Sequence, residues 1–357
     1  MKKLMTIMAG MVLLLTSVCG CGAKVDNSPE AATIVAESIE TDSSEDSSEA
    51  VSIVEADEKG DMVRVGMLAG PTSLGMMGLI RNAESGITTQ KYDFTIATNA
   101  DELLPLIVKR DIDIALIPAN VAGVLYNKTE GNIRVIDINT LGVLYMVSSD
   151  DSIKNPADLV GKTIYLTGKG TTPDYVLRYV LAENGISDTD VTLEYKSEAT
   201  EVVSAISEDS DAVGLLPQPF VTVACAKNEN LGIVMDMNEQ WNKLNADSGS
   251  KLVTGVTITT ADYLENHADA IEVFLTDHSH SVAALESDLD DIAALSVEKG
   301  ILPNEDIALA AIPKCSITYI TDGAMKDALD GYLSVLFEQD NASVGGALPG
   351  EDFYYVH

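Results

Sequence analysis

The chain has 357 residues, 46% of them hydrophobic, which is enough to bury more than one core. Its 56 acidic residues outnumber its 22 lysines and arginines, so the formal net charge is −34. That balance argues against nucleic-acid binding and against polybasic attachment to a membrane surface, because both need a cationic face. With four cysteines in the whole chain, a disulfide framework is not expected either.

The first 20 residues have the features of a secretory signal peptide. Lys2 and Lys3 precede an apolar run, Leu4 to Leu15, that falls short of the roughly 20 residues needed to span a bilayer. The next residues, Val18 to Gly22, resemble the lipobox of bacterial lipoproteins. This resemblance implies cleavage before Cys21 and lipid attachment to its sulfur, which would anchor the chain to the cell membrane. An ordinary signal peptide with incidental cysteines is the alternative.

Residues 21–61 form an acidic segment between this signal and the first pattern that looks folded. From Lys24 to Lys59 there are eleven aspartates or glutamates, two lysines and many serines. Like charges repel one another and serine buries little apolar surface, so the segment cannot offset the entropy of ordering it. We therefore expect a disordered, extended tether.

From residue 62 onward, short β-branched runs alternate with longer helical patterns, which is typical of α/β proteins with parallel sheets. Four predicted strands end near residue 138, and the pattern restarts with five more between residues 142 and 237. A strand at 252–259 leads out of this second group, and residues 261–338 are predicted to be mainly helical.

This pattern predicts two α/β lobes joined by two crossings of the chain. Lobe 1 is predicted to contain residues 62–141 and 256–357, and lobe 2 to contain residues 142–255. Two crossings make a hinge, and closure of two lobes around a ligand is a standard motion of such proteins. The predicted hinge positions are Leu141, Gly142 and Gly255.

Four turns from a strand to a helix share a composition of small, hydroxyl and amide side chains. Ligands of open α/β sheets bind beyond the carboxyl ends of strands, at helix N-termini, so these turns are the predicted site. Their free backbone N–H groups can hydrogen-bond an anion or a polar ring edge. Helix capping alone would explain any single turn, but the concurrence of four favours a site. The predicted ligand contacts in these turns are Thr72, Ser73, Asn120, Thr171, Thr172 and Gln218.

The roles of several other residues stay open. Trp241, the only tryptophan, is a further candidate contact that either closes over the ligand or plugs the surface of its lobe. Lys169 either supplies a cation or is simply exposed. Cys225 is expected to be a small buried hydrophobe, with a bridge to Cys315 as the alternative. No arginine falls in the four turns, which leaves open a neutral heteroaromatic ligand and an anion held by backbone N–H groups.

Catalytic and metal-binding motifs are weak. Gly161-Lys162-Thr163 lacks the earlier glycine of a P-loop, and Gly168-x-Gly170 lacks the third glycine of a dinucleotide fingerprint. His278 and His280 are two apart on a predicted helix, so they point to different faces and are predicted to be solvated. We expect no cofactor, no metal and no enzyme activity.

Several segments resemble the solute-binding lipoproteins of ABC importers, in particular the nitrate/sulfonate/taurine and thiamine-pyrimidine-precursor binding proteins. The resemblance implies the type II periplasmic-binding fold, with a small polar or anionic organic solute held between two lobes. It also implies export and delivery of the solute to a separate permease and ATPase; a monomer is expected. The alternatives are a surface sensor or adhesin module and a biosynthetic enzyme on the same fold. The segments are Gly70–Met76, Asp113–Asn120, Asn139–Tyr145, Gly161–Ile164, Gly168–Tyr175, Leu216–Phe220 and Gly345–Tyr355.

Overall fold

The structure is a computed structural model that describes residues 62–356. The predicted signal peptide, lipidation at Cys21 and the acidic segment up to residue 61 lie outside the described residues. The strands are β1 (Val63–Leu68), β2 (Tyr92–Ala97), β3 (Ile114–Pro118), β4 (Ile133–Leu141), β5 (Leu144–Ser148), β6 (Thr163–Thr167), β7 (Thr192–Lys196), β8 (Val213–Pro217), β9 (Gly232–Asp236), β10 (Val253–Thr260) and β11 (Ile317–Ile320). The α-helices are α1 (Pro71–Leu74), α2 (Met77–Glu84), α3 (Ala100–Val108), α4 (Ala119–Lys128), α5 (Thr172–Glu183), α6 (Ala199–Glu208), α7 (Phe220–Lys227), α8 (Met237–Leu244), α9 (Ala261–Asn266), α10 (Ala268–Ser287), α11 (Leu289–Glu298), α12 (Glu305–Ala311) and α13 (Asp322–Gln339).

The strands form two sheets within residues 62–356. The first has the order β11-β4-β10-β3-β1-β2, and the second has the order β7-β6-β8-β5-β9. In the first sheet β10 lies antiparallel between β3 and β4, and in the second β5 lies antiparallel between β8 and β9. The chain passes from the first sheet to the second at β5, and it returns to the first sheet at β10.

Helices cover both faces of each sheet. Helices α2, α10 and α11 pack on one face of the first sheet, and α3, α4 and α13 pack on the other. Helices α5 and α8 cover one face of the second sheet, and α6 and α7 cover the other. The central strands β3 and β5 are accordingly almost continuous runs of buried residues, as sheets covered on both faces require.

One element differs from the sequence prediction, and another lies in a segment for which the sequence made none. The stretch predicted to be mainly helical contains β11, an edge strand that pairs antiparallel with β4. Its four residues are too few to show a clear period. The polar segment around Trp241 is helix α8, which begins at Met237. Asp236 caps this helix, because its carboxylate accepts hydrogen bonds from the N–H groups of Asn238 and Glu239. Along residues 62–356, none of the helices has the length and apolar character needed to cross a bilayer.

Candidate functional site

The carboxyl edges of the two sheets meet at one crossing of the chain. β4 ends at Leu141 and β5 begins at Leu144, so this crossing consists of Gly142 and Val143. Because β8 and β9 run antiparallel to β5, their carboxyl ends lie beside the start of β5. In the first sheet β3 and β4 both run antiparallel to β10. The carboxyl ends of β3 and β4 therefore lie at one edge of that sheet. The turns that follow these strands therefore surround the crossing.

The glycines predicted as hinge positions are tightly packed. A Cβ on Gly142 would lie 2.7 Å from Asn238 Cβ and 2.8 Å from Leu252 Cδ2. A Cβ on Gly255 would overlap Asn139 Oδ1 and Thr72 Cγ2. Close approach of neighbouring side chains thus explains both glycines, while a hinge role for them and for the adjoining Leu141 stays a prediction.

Thr72 and Ser73 occupy different surroundings in the short helix α1. Thr72 is buried against Gly255 of β10, directly beside the returning crossing. Ser73 is fully buried, and its hydroxyl donates to the carbonyl of Gly70 at 2.9 Å. The Ser73 hydroxyl is therefore engaged within its own turn, whereas Thr72 lies next to the point where the sheets join.

The first turn of α4 is held by the C-terminal part of the chain. Asn120 Nδ2 donates to the carbonyl of Ser343 at 3.4 Å. The same segment reaches the second sheet, because Asp340 Oδ2 accepts from the hydroxyl of Tyr175 at 3.0 Å. Gln339 Nε2 also donates to the carbonyl of Tyr175 at 3.0 Å. Residues 339–343 thus touch turns of both sheets at one side of the candidate site.

The turn before α5 uses most of its polar groups internally. The hydroxyl of Thr171, which is exposed, donates to the carbonyl of Gly168 at 2.5 Å. The side chain of Thr172 lies next to that of Tyr332 of α13. The ammonium of Lys169 lies 5.4 Å from the ring centroid of Tyr195, which is a cation–π contact.

A carboxylate of the chain itself occupies the start of α5. Asp174 is buried, and its Oδ2 accepts from the N–H of Gly170 at 2.8 Å. Its Oδ1 accepts from Arg178 Nε at 2.8 Å and from the Tyr195 hydroxyl at 2.7 Å. The first turn of α5 therefore already contains a buried carboxylate that is bound by groups of its own sheet.

Gln218 is the candidate contact with an unsatisfied group. Its side chain is 1% exposed, and its backbone N–H donates to the carbonyl of Val143 in the crossing at 2.9 Å. Oε1 accepts from the Thr222 hydroxyl at 2.8 Å, but the buried Nε2 has no partner among the described residues. Oδ1 of Asn238, which lies against Gly142, is likewise buried and without a partner in residues 62–356. The sequence analysis did not single out Asn238, which lies two residues after the end of β9.

Trp241 lies in the core. It is fully buried, and its indole N–H donates to Ser250 Oγ at 3.2 Å. Its ring packs against Tyr179 at 4.6 Å and Tyr332 at 5.6 Å between centroids. The structure thus gives Trp241 a packing role in the core and not at the lobe surface, while a role as ligand contact stays a prediction.

The prediction that His278 is solvated is wrong, whereas His280 is exposed. His278 is fully buried and pairs with Asp137, because it lies on the apolar face of α10. Phe274 four residues earlier and Ser281 three residues later are buried on that face. This helical spacing, and an aspartate inside the buried strand β4, were the signals in the sequence.

Cys225 and Cys315 are free thiols, so the bridge between them is not formed. Cys225 is half-buried and Cys315 is buried, and burial raises the pKa of the Cys315 thiol to about 12. Among residues 62–356 no group of three or more histidine, cysteine, aspartate or glutamate side chains could hold a metal ion.

A cavity of about 490 Å³ lies at the opposite, amino-terminal edge of the first sheet. Arg64 and Arg110 line it, together with the carboxylates that they bind, Asp113 and Asp262. Because these charges neutralise each other and the cavity is far from the crossing, we place the candidate site at the carboxyl edges.

Part of the chain is similar to known proteins. Residues 132–286 match the model of a family described as NMT1/THI5 like. Over 94 residues the chain is 34% identical to a Brucella abortus protein named as a binding protein, covering 26% of this chain. That match spans 29% of the length of the curated relative.

Three solved structures share the fold. An ABC transporter protein from Parabacteroides distasonis has a TM-score of 0.68 at 24% identity, covering 82% of this chain and 98% of that chain. The periplasmic aliphatic sulphonate binding protein SsuA from Escherichia coli has a TM-score of 0.65 at 14% identity, covering 82% and 92%. The alkanesulfonate-binding protein SsuA from Xanthomonas axonopodis pv. citri, bound to MOPS, has a TM-score of 0.54 at 15% identity, covering 82% and 96%. The chain therefore has the periplasmic-binding-protein fold, with two α/β sheets on either side of a chain crossing, and residues 132–286 are a segment similar to the NMT1/THI5-like family.

Proposed function

We propose that this chain is the extracytoplasmic substrate-binding component of an ABC importer. It captures a small polar or anionic organic solute between two lobes and delivers it to a permease driven by an ATPase on separate chains. The observation that carries this proposal is the pair of buried, unpartnered amide atoms of Gln218 and Asn238 beside the crossing. A buried polar atom without a partner costs about 1–3 kcal/mol, so a ligand that pairs with both atoms relieves a strain of the free protein.

The names of the proteins with a similar fold support a binding role. One is called an ABC transporter and two are called sulfonate-binding proteins. We therefore propose that the chain binds its solute without covalent chemistry. Sheet membership supports the proposed lobes, residues 62–141 with 256–357 and residues 142–255, except that residues 253–255 belong to β10 of the first sheet. The lobes would close about Leu141, Gly142 and Gly255.

The same proposal includes attachment to the membrane. Lipidated Cys21 would hold the protein at the outer face of the cell membrane, and the acidic residues up to 61 would form the tether. One acyl chain binds a membrane only marginally, so the multiple acylation that the lipobox implies is needed. A Cys21→Ala variant should be released or misprocessed, and membrane retention equal to that of the parent would contradict the anchor.

A thermal-shift screen over sulfonates, nitrate, pyrimidines and amino acids tests the binding role. A ligand at a hundredfold excess over Kd raises the free energy of unfolding by about 2.7 kcal/mol. We expect at least one of these solutes to raise Tm saturably and to change the emission of Trp241. We expect Trp241 to respond to closure because it bonds Ser250, just before the return strand β10. No saturable shift by any of these classes would count against an importer component.

A further inference from the structure

We infer that Asn139 is a positioning residue of the candidate site. A chain of buried polar groups holds its side chain in one orientation, in which it supports the turn that carries Thr72. This role rests on the proposed function, because the turn lies at the edge where we propose that the ligand binds. Two features of strand β4 support it, a β-bulge at Asn139 and a set of hydrogen bonds that allows its amide only one orientation.

The carboxyl half of β4 is unusually polar for a strand inside a sheet. Asp137, Asn139 and Thr140 are each at most 1% exposed, and β4 lies between β11 and β10. Strands covered by helices on both faces are normally almost continuous aliphatic runs, as β3 is. Buried polar groups cost free energy unless they are hydrogen-bonded, and departures from such local rules concentrate at functional sites. This end of β4, next to the crossing, is therefore a candidate for a functional role.

Asn139 is the extra residue of a β-bulge. The residues on either side of it pair with Val256 and Gly255, which are consecutive in β10, so Asn139 has no cross-strand partner of its own. Bulges re-aim a side chain and are common next to active sites. Here Asn139 Oδ1 and Thr72 Cγ2 lie 2.4 Å and 2.5 Å from the position that a Cβ on Gly255 would take. The side chains of Asn139 and Thr72 are therefore neighbours above Gly255.

Hydrogen bonds fix the orientation of the Asn139 amide. A carboxylate only accepts, so the hydroxyl of Thr257 donates its one proton to Asp137 Oδ1, at 2.8 Å. The Thr257 oxygen is left as an acceptor, and it receives a hydrogen bond from Asn139 Nδ2 at 3.1 Å. Asn139 Oδ1 accepts from the hydroxyl of Thr140 at 2.9 Å. An amide turned over would place its oxygen against a Thr257 oxygen that has no proton to give, so one orientation is selected.

Helix α10 anchors the other end of this polar chain. Asp137 Oδ2 lies 3.1 Å from Nδ1 of His278, and both side chains are fully buried. The same helix also holds the end of α1 directly, because Ser281 Oγ donates to the carbonyl of Gly75 at 2.5 Å. Helix α10 thus supports α1 at both ends, directly at Gly75 and through the polar chain at Thr72.

Removing the hydroxyl of Thr257 should release Asn139. Thr257→Val keeps the shape of the side chain but deprives Asn139 Nδ2 of its acceptor, so the amide can turn over or leave its place. The turn should then be held less firmly. We expect the N–H groups of Thr72 and Ser73 to exchange with solvent about tenfold faster in the free protein. Affinity for a solute bound at this edge should fall by about tenfold as well, because the supporting side chains of a site fix its geometry.

Thr259→Val is the matched control. Thr259 lies two residues further along β10, on the same face, and is also at most 1% exposed. Its hydroxyl donates to the carbonyl of Asp113 at 2.8 Å, away from the crossing. The two variants should therefore lose similar free energies of unfolding in urea. Thr259→Val should keep the exchange of residues 70–73 and the affinity of the parent within about twofold, because distant sites act independently.

Thr257→Ser separates the hydrogen bond from the packing. This variant keeps the hydroxyl and loses a buried methyl group, so it should be somewhat less stable than the parent. Exchange at residues 70–73 and affinity should nevertheless match those of the parent. If Thr257→Ser instead behaved like Thr257→Val in both respects, packing and not the amide orientation would hold the turn, and the positioning role would be refuted.

Amide exchange of the full chain without ligand, and calorimetric titration with ethanesulfonate, nitrate, cytosine and glycine, provide the two readouts. Equal exchange at residues 70–73 in Thr257→Val and Thr259→Val would overturn the positioning role, whether or not a solute binds. A faster-exchanging turn with unchanged affinity for a solute that binds the parent would overturn it too. Faster exchange in Thr257→Val alone, with none of the four solutes bound by the parent, would support the hold of Asn139 on the turn and count against the proposed function.

Discussion

His278 and Asp137 form a fully buried pair, with His278 Nδ1 3.1 Å from Asp137 Oδ2. Asp137 Oδ1 accepts from the hydroxyl of Thr257 at 2.8 Å, and that hydroxyl oxygen accepts from Asn139 Nδ2 at 3.1 Å. Asn139 lies beside the turn that carries Thr72. A continuous polar chain thus runs from helix α10 through strands β4 and β10 to the edge of the candidate site.

Removing only one member of the His278–Asp137 pair should lower the stability of the fold. His278→Leu leaves the Asp137 carboxylate buried with its histidine partner removed, and we expect the free energy of unfolding to fall by about 3–5 kcal/mol. Urea denaturation measures the loss. The double variant Asp137→Leu/His278→Leu removes the charge as well, so it should lose less than the single variant. A double variant at least as unstable as His278→Leu would contradict the pairing.

The glycines on either side of the crossing should not tolerate a methyl group. Gly142→Ala and Gly255→Ala force overlap with Asn238 and with Thr72, and each should lower the free energy of unfolding by about 1–3 kcal/mol. Gly232→Ala is the control, because no atom lies within 4 Å of its added Cβ. Chemical denaturation of the three variants checks the order, and equal stabilities would show that the crossing is looser than described.

Trp241 should matter for stability and not for affinity. Trp241→Phe loses the hydrogen bond to Ser250 and part of the packing against Tyr179 and Tyr332, at a cost of about 1–3 kcal/mol. Kd for the solute found in the screen should stay within twofold. Normal stability combined with lost binding would instead make this side chain a ligand contact.

The ion pair between Asp150 and Lys162 should make the stability of the fold depend on pH. Hydrogen bonds from Lys162 and Ser152 lower the pKa of Asp150 to about 2. Because the folded pKa lies below the unfolded value, the pair stabilises the fold above about pH 4 and loses this contribution as the pH falls through about 2. The parent should therefore have a higher free energy of unfolding than Asp150→Asn at pH 7, and this difference should disappear at low pH. NMR titration of the Asp150 carboxyl gives the pKa directly, and an ordinary value near 4 would contradict the contact.

The sequence predicted most strands of the two sheets to within a few residues, because buried parallel strands form short runs of Val, Ile and Leu between helical patterns. It also singled out Gln218 as a candidate contact, since residues after a strand in an open sheet face the ligand edge, and the structure places Gln218 beside the crossing, where ligand contact stays a prediction. It could not show that the Ser73 and Thr171 hydroxyls turn back onto the carbonyls of Gly70 and Gly168, because side-chain direction in a turn depends on tertiary packing. Nor could it show that Asp174 fills the start of α5.

Hydrogen–deuterium exchange of the full chain, with and without the solute that raises Tm most, tests the central claim most directly. Binding between the sheets predicts slower exchange in turns of both sheets at once, residues 70–73 and 118–120 in the first and residues 168–172 and 217–219 in the second. Slower exchange in only one sheet, or only around the cavity at Arg64, would contradict a site at the crossing.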